Sequence, residues 1–510
     1  MNLPRYARVL LAMGSGAALG FAFPNYNLWP LAWIALAMLI VASYGVRLRE
    51  APLYGFLHGQ VFYPVVLPWV ETVMRQYGNI SPWISGAFVC AIGTFGGLFC
   101  MIFSTGIAAA SRRSKLLACG LAPFLWTAVE YIRSNFWIFG SSWDLSGYPL
   151  TRNLAFLQLT AVTGIYGLCF VVAAFGAVVA YAIMVPAKRH WMIAGAVTVV
   201  LIIIGLVGPK LVPVAQRQYV AHLVQTNFPQ SESYPADWMT IHAGDLRQLG
   251  DISVSAAKAR PGLIVWPEVP APFSLEDPIF SRFASSVAQN ANGYFLVGVL
   301  DWKQDANRKW LAFNTAALLD PSGRRIFSYD KIHLLPFGEY VPLRGWLTFA
   351  KRLTADISDF TPGSVESVGQ LPQGKFGVFI CYEAIFPSEV RIFTANGAQL
   401  LITISNDGWF GRSSAPEQSM MMARVRAVEN RRWLLRDTNN GYTESIDPYG
   451  RTIAQLPLDI RGQLDAPYGM RSDLTPYVRF GDWLSFLSMA VSAALILFAL
   501  LKPQGKVANG

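Results

Sequence analysis

The sequence predicts two classes joined in one chain: a multi-span α-helical membrane part, then an α/β domain with both sheet faces covered. Three observations carry this. Of 510 residues, 53% are hydrophobic and only 14% charged, with mean hydropathy +0.36, whereas soluble chains carry about 25% charged residues. The shortage is also uneven, because residues 9–210 are nearly devoid of acids while 215–480 have an ordinary globular composition. Within 215–480, strand-like apolar runs alternate with helical patterning, as expected when helices cover a sheet. The expected division is therefore 1–214, a membrane part; 215–480, a globular domain; and 481–510, a final span with a short tail.

Candidate spans lie at about 7–23, 28–44, 52–74, 82–109, 116–133, 155–184, 191–210 and 483–501, judged against the ~20 residues a helix needs to cross a bilayer. Seven precede the globular domain and one follows it. The third is interrupted by His58, Pro64, Pro68 and Glu71. Gly16 and Gly20 predict a close helix–helix contact. Arg5/Arg8, Arg47/Arg49, Arg112/Arg113/Lys115, Lys188/Arg189 and Lys502/Lys506 fall on one side of such a layout. By the positive-inside rule both termini are then cytoplasmic and the globular domain is periplasmic, across the inner membrane of a Gram-negative-type cell. The net charge of +10 resides largely in these clusters, which argues against a nucleic-acid partner. The segment Ser134–Tyr148 holds Phe136, Trp137, Phe139, Trp143 and Tyr148. Such a segment is expected at the outer interface, either as an aromatic anchor or as a wall of a lipid-binding site.

In the globular domain, Val220–Gln225 reads as the first strand. Leu263–Val265 is an apolar strand that runs through Trp266-Pro267 into Glu268. A helix around 276–291 leads to a strand over 294–300. Asp320-Pro321-Ser322-Gly323 and Asp447-Pro448-Tyr449-Gly450 are turn sequences and predict two hairpins. Phe376–Ile380 reads as a buried strand delivering Cys381, Tyr382 and Glu383 to its C-terminal end, before Pro387 opens a helix. A further strand ends in Ser405-Asn406-Asp407-Gly408, and the helix from about 416 to 433 carries Met420, Met421 and Met422 as core filler. No Walker A loop, no GxGxxG after a strand and no internal repeat is present, so no cofactor is expected.

Five cysteines are present, and Cys381 is the only one in 215–480. That excludes a disulfide within the domain, and no CxxC or Cys/His spacing suits a metal. A lone thiol where a strand ends is a candidate nucleophile, although free cysteines are commonly small buried hydrophobes. Chemistry through an acyl-thioester needs a thiolate, a base for its proton and a cation for the oxyanion. Glu268 fits the base, Cys381 the nucleophile, and Lys331 of Tyr329-Asp330-Lys331-Ile332-His333 the oxyanion stabiliser. A nearby Lys331 is expected to lower the thiol pKa below the ~8.5 of a free cysteine. Glu339 of Pro336-Phe337-Gly338-Glu339 is placed to fix Lys331. His333 is an alternative base.

These three motifs resemble the Glu-Lys-Cys triad of the nitrilase, or carbon–nitrogen hydrolase, superfamily. The membrane layout around them resembles a membrane-embedded N-acyltransferase branch of that superfamily. The resemblance implies an αββα sandwich for 215–480, with Glu268 as general base, Lys331 as triad lysine and Cys381 as acyl carrier. It further implies supporting roles for Glu339, Tyr382 and Glu383. It also implies a functional tryptophan, Trp238, on a mobile periplasmic loop and an interfacial one, Trp143. The implied reaction is ping-pong: the sn-1 acyl chain of a phospholipid, phosphatidylethanolamine being the expected donor, passes through Cys381 to the α-amine of a diacylglyceryl-modified lipoprotein. A membrane-anchored amidase acting on a small amide would use the same triad. A transporter would expose more ionisable residues within its spans than Glu71 and Glu130. Loops near Trp238, 351–362 and 409–415 are candidate lids.

Overall fold

The computed structural model describes residues 3–231, 234–340 and 360–501. It divides into two compact units, one of 1–71, 81–212 and 480–510, the other of 72–80 and 213–479. Lys502, Lys506 and residues 351–359 of one expected lid lie outside the described residues.

The first unit is helical: α1 (Arg5–Phe21), α2 (Leu31–Ser43), α3 (Ala51–Val66), residues 69–71 of α4 (Trp69–Gln76), whose remainder belongs to the second unit, α5 (Pro82–Ser111), α6 (Lys115–Ser134), α7 (Leu154–Leu157), α8 (Thr160–Thr163), α9 (Tyr166–Met184), α10 (Lys188–Leu211) and a terminal helix, Trp483–Leu501. Among the described residues, five helices are long and apolar enough to cross a membrane: α5, α6, α9, α10 and the terminal helix. The expected third span is divided between α3 and α4, which Leu67-Pro68 separates; Pro68 removes a backbone donor where the helix would continue. The expected span 155–184 is also divided, into α7, α8 and α9, with Gly164 at φ 65° between the last two.

Glycines set how closely these helices approach. A Cβ on Gly16 would lie 2.3 Å from the His58 carbonyl oxygen, and one on Gly20 2.6 Å from Val65, so both glycines of α1 abut α3. On the next face of α3, a Cβ on Gly59 would lie 2.4 Å from the Gly97 Cα of α5. Small residues at such crossings let backbones approach within van der Waals distance.

Ser134–Tyr148 is exposed toward one end and buried at the other. Phe136, Trp137 and Phe139 are exposed as expected, whereas Ser142–Leu150 is buried. Polar pairing draws it inward. Arg133 bridges Asp144 at 2.6 Å. The Ser146 N–H and hydroxyl donate to the two Glu130 oxygens at 2.7 and 2.8 Å. Trp143 is buried within this unit against Trp69, ring centroids 4.9 Å apart.

The second unit holds two six-stranded mixed sheets. The strands are β1 (Tyr219–Gln225), β2 (Leu263–Val265), β3 (Phe295–Gln304), β4 (Trp310–Leu319), β5 (Arg325–Asp330), β6 (Val368–Leu371), β7 (Gly374–Ile380), β8 (Leu400–Ser405), β9 (Leu434–Thr438), β10 (Glu444–Ile446), β11 (Thr452–Gln455) and β12 (Gly462–Tyr468). Their order is β12-β1-β2-β3-β4-β5 in one sheet and β11-β10-β9-β8-β7-β6 in the other. The pairs β1/β2, β2/β3, β7/β8 and β8/β9 are parallel. Both expected hairpins form, β4/β5 and β10/β11.

Helices α11 (Trp238–Ile241), α12 (Ala243–Ala259) and α13 (Pro278–Ala291) lie on the first sheet. Leu246, Leu249, Phe280 and Ala284 pack there against Val224, Ile264, Phe295 and Val297. Helices α14 (Pro387–Ala395) and α15 (Ala415–Asn430) lie on the second, where Val390, Phe393, Ala423 and Ala427 join its apolar cluster. The same cluster runs between the sheets through Leu223, Val265, Leu296 and Leu318. The order of layers is the αββα expected from the resemblance. Phe376–Ile380 is buried throughout, as a central strand covered on both faces requires. Met421 and Met422 are core filler as expected.

Candidate active site

Glu268, Lys331 and Cys381 come from three connections at strand ends, where α/β sheets place their chemistry. Glu268 follows β2 by way of Trp266, whose buried indole donates to the Ser253 hydroxyl at 3.0 Å. The turn after it is tight, with Val269 at φ 25°. It lies directly on β3: a Cβ on Gly298 would lie 2.4 Å from the Pro267 carbonyl oxygen and 2.7 Å from the Glu268 Cα. Only glycine lets the two backbones meet there.

The Glu268 carboxylate is 5% exposed and fully engaged. Its Oε1 accepts from Lys331 Nζ at 3.1 Å and from Asn314 Nδ2 at 2.7 Å; its Oε2 accepts from the Asn406 N–H at 2.8 Å. Lys331, 1% exposed, also donates to Glu339 Oε1 at 2.9 Å. Burial alone would push this ammonium down, but Glu268 and Glu339, with Cys381, outweigh it and hold Lys331 well above its usual pKa. Its backbone is pinned as well. The Lys331 N–H donates to the Asn314 carbonyl at 2.9 Å, and the Gly363 N–H donates to the Lys331 carbonyl at 2.8 Å. Glu339 fixes Lys331 as expected, and its Oε2 accepts from the Leu335 N–H at 2.7 Å.

Cys381 takes φ 52° as the chain turns from β7 into a 3-10 turn, Cys381–Ile385. A non-glycine residue rarely adopts this conformation, and it turns the chain sharply at the candidate nucleophile. Lys331 does lower the thiol pKa, but the expected net value below that of a free cysteine is corrected. Burial pushes the thiol up and the Glu268 anion adds to it; Lys331 and the Ser405 hydroxyl offset this only in part. The thiol is therefore protonated at neutral pH, and such a thiol needs a base before it can act as a nucleophile.

Glu383 ties several segments of the site together. Its Oε1 accepts from the Tyr329 hydroxyl at 2.7 Å and from the N–H groups of Ile332 and His333 at 2.7 and 3.1 Å; its Oε2 accepts from the Ile380 N–H at 2.6 Å. One carboxylate thus ties the Cys381 turn to the Lys331 segment. Burial raises its pKa to about 7, against the lowering effect of these donors. Tyr382 lies edge-on to Phe386 at 5.3 Å and beside His333. The imidazole of His333 is occupied by Glu389 at 2.8 Å and stacks on Phe386 at 3.7 Å, so it is a structural neighbour.

Trp238 is packed rather than exposed. It opens α11 and is 5% exposed, stacked on His242 at 4.4 Å and edge-on to Phe228 and Phe273. Burial of an aromatic face among other rings outweighs exposure of a bulky apolar side chain. Two of the expected lids have ordered parts: the Phe360 and Thr361 N–H groups donate to Glu339 and Ala312 carbonyls, and 407–410 form a 3-10 turn.

Sequence reasoning missed Asn314. It donates to Glu268 at 2.7 Å and to Glu339 at 3.0 Å, bridging the two carboxylates that flank Lys331. The available signal was its parity: Asn314 shares a strand face with Ala316 and Leu318, which point into the core. It missed the Asn406 amide too, and the Arg436 guanidinium that anchors Asp407 at 2.9 Å.

Residues 221–466 match the carbon-nitrogen hydrolase family and residues 15–178 the N-terminal domain of apolipoprotein N-acyltransferase. An apolipoprotein N-acyltransferase of Geobacter metallireducens is 34% identical, covering 95% of this chain and 94% of that protein. Another from Rhodopseudomonas palustris is 30% identical, covering 98% and 96%. Among solved structures, that of the nitrilase-superfamily member Nit3 of Saccharomyces cerevisiae is 21% identical, covering 55% of this chain and 96% of that one with TM-score 0.37. With a nitrilase-type α/β unit, an apolar helical unit and relatives this similar over nearly their whole length, the chain belongs to the apolipoprotein N-acyltransferase family.

Proposed function

We propose that this protein transfers the sn-1 acyl chain of a phospholipid, through a thioester on Cys381, to the α-amine of the diacylglyceryl-cysteine that begins a lipoprotein. The observation that supports the chemistry best is Lys331 buried between Glu268 and Glu339, a charged ammonium aimed by two carboxylates beside a protonated thiol.

In the first half-reaction Glu268 takes the Cys381 proton as sulfur bonds to the ester carbonyl carbon. The Lys331 ammonium, with a backbone N–H, stabilises the oxyanion. The carbon–oxygen ester bond then breaks, and the lysophospholipid leaves with the proton held by Glu268. In the second, the lipoprotein α-amine attacks the thioester carbonyl. Glu268 takes the amine proton, the carbon–sulfur bond breaks, and Cys381 recovers its proton. Phosphatidylethanolamine is the proposed donor. Tyr382, Trp238 and Trp143 are proposed to act in substrate binding, and Glu339 and Glu383 in support of the triad.

Both substrates are bilayer-anchored, which gives a reason for apolar helices on an enzyme of this fold. The proposed arrangement is an inner-membrane part, 1–214, a periplasmic catalytic domain, 215–480, and a last span with a cytoplasmic tail, 481–510. Both termini are cytoplasmic, as the basic clusters support. A test offers the protein phospholipid together with either a diacylglyceryl lipopeptide or simple amides. The reading predicts N-acylated lipopeptide and lysophospholipid in equal amounts. Amide hydrolysis without transfer would favour a membrane-anchored amidase.

A further inference from the structure

We infer that Tyr77 is a positioning residue for the general base: its hydroxyl holds the turn whose amide aims Glu268. Residues 72–80 precede α5 in sequence, yet they group with the α/β unit. The Tyr77 hydroxyl donates to the Gly408 carbonyl at 2.6 Å, and the Tyr77 ring meets Trp409 edge-on, centroids 5.3 Å apart. Gln76 Nε2 donates in turn to the Tyr77 oxygen at 3.3 Å.

Gly408 belongs to the short 3-10 turn Asp407–Phe410 that leaves β8. Asn406 caps this turn, its Oδ1 accepting from the Gly408 N–H at 3.3 Å. The same Asn406 donates its backbone N–H to Glu268 Oε2 at 2.8 Å and its Nδ2 to the Val269 carbonyl at 3.2 Å. Glu268 Oε1 is taken by Lys331 and Asn314, so Oε2 is the oxygen whose position depends on this turn.

The turn is clamped from two sides. Toward the interior, Asp407 is gripped by Arg436 at 2.9 Å and by the Ser405 hydroxyl at 2.7 Å, all buried. Toward the surface, the half-buried Tyr77 is the clamp, and Trp409 remains 37% exposed. The interior clamp is a charged, desolvated network. The outer one is neutral, one hydrogen bond and one ring contact from a separate stretch of chain, and is therefore the weaker one. Residues 72–80 thus have a chemical consequence: they set how firmly the carboxylate that shuttles protons is held.

This inference rests on the acyl-transfer reading, and the experiment separates the two. Full-length wild-type protein, Tyr77→Phe and Gln76→Ala are incubated with phospholipid labelled on its sn-1 chain, and the rate of hydroxylamine-sensitive labelling is followed against donor concentration. Tyr77→Phe keeps the ring against Trp409 and removes one hydrogen bond. The maximal rate is expected to fall about fivefold, with half-saturation and thermal unfolding unchanged; Gln76→Ala is expected to fall by about twofold. A Tyr77→Phe protein with the wild-type maximal rate, or with only its half-saturation raised, overturns the role. Should Tyr77→Phe fail to fold, an unchanged rate in Gln76→Ala overturns it instead. Wild-type protein that takes no label refutes the acyl-transfer reading, and this inference with it.

Discussion

Replacing Glu268 with Gln lowers thioester formation by about 10²- to 10⁴-fold, the usual worth of a positioned general base. The amide has nearly the shape of the carboxylate, so its carbonyl still accepts from Lys331 Nζ and Asn314 Nδ2. It cannot take a proton from sulfur, and burial keeps that proton on Cys381 at neutral pH. Its NH₂ also faces the Asn406 N–H, two donors where one charge-assisted bond stood. The loss of that bond costs about 1.5–3 kcal/mol. Single-turnover labelling, with thermal unfolding as the control for folding, measures both effects. A loss of less than tenfold would move the base elsewhere, and His333 is a poor substitute while it is held by Glu389.

Lys331→Met has the larger effect on the fold. Lys331 is 1% exposed and is the cation between Glu268 and Glu339. Without it the buried Glu268 carboxylate loses its cation and faces a half-buried Glu339, and breaking a buried pair in this way destabilises by about 3–5 kcal/mol. Acylation falls by at least about 10²-fold, since the oxyanion loses a charged donor. The thiol reports the change as well. Lys331, with the Ser405 hydroxyl, offsets burial and Glu268 at Cys381, so its removal raises the thiol pKa further. Alkylation of Cys381 by iodoacetamide at neutral pH is then slower than in wild type. Faster alkylation would contradict the charge balance described here.

The architecture of the α/β unit is readable from its sequence because its central strands are short continuous apolar runs that end in chemistry. Leu263–Val265 leads to Glu268 and Phe376–Ile380 to Cys381, and turn residues mark both hairpins. Pairing of Lys331 with Glu339 is readable for a similar reason, since both lie in one short segment.

Features that depend on distant packing are not readable in this way. Trp238 is drawn into a ring cluster by Phe228 and by Phe273, which lies far along the chain. Ser142–Leu150 is drawn inward by Arg133 and Glu130, and apolar periodicity carries no sign of such polar pairing. Asn314 resembles one odd residue in an apolar strand until the carboxylates it bridges are in place. The raised thiol pKa is not legible in the sequence, because Lys331 is visible there whereas burial is not.

The most direct test of the central claim is mass measurement of the intact protein after incubation with a phospholipid labelled on its sn-1 chain, in wild type and in Cys381→Ala. The account predicts one hydroxylamine-sensitive acyl adduct on wild type, discharged when a diacylglyceryl lipopeptide is added, and none on the variant. An adduct that persists in Cys381→Ala would contradict it.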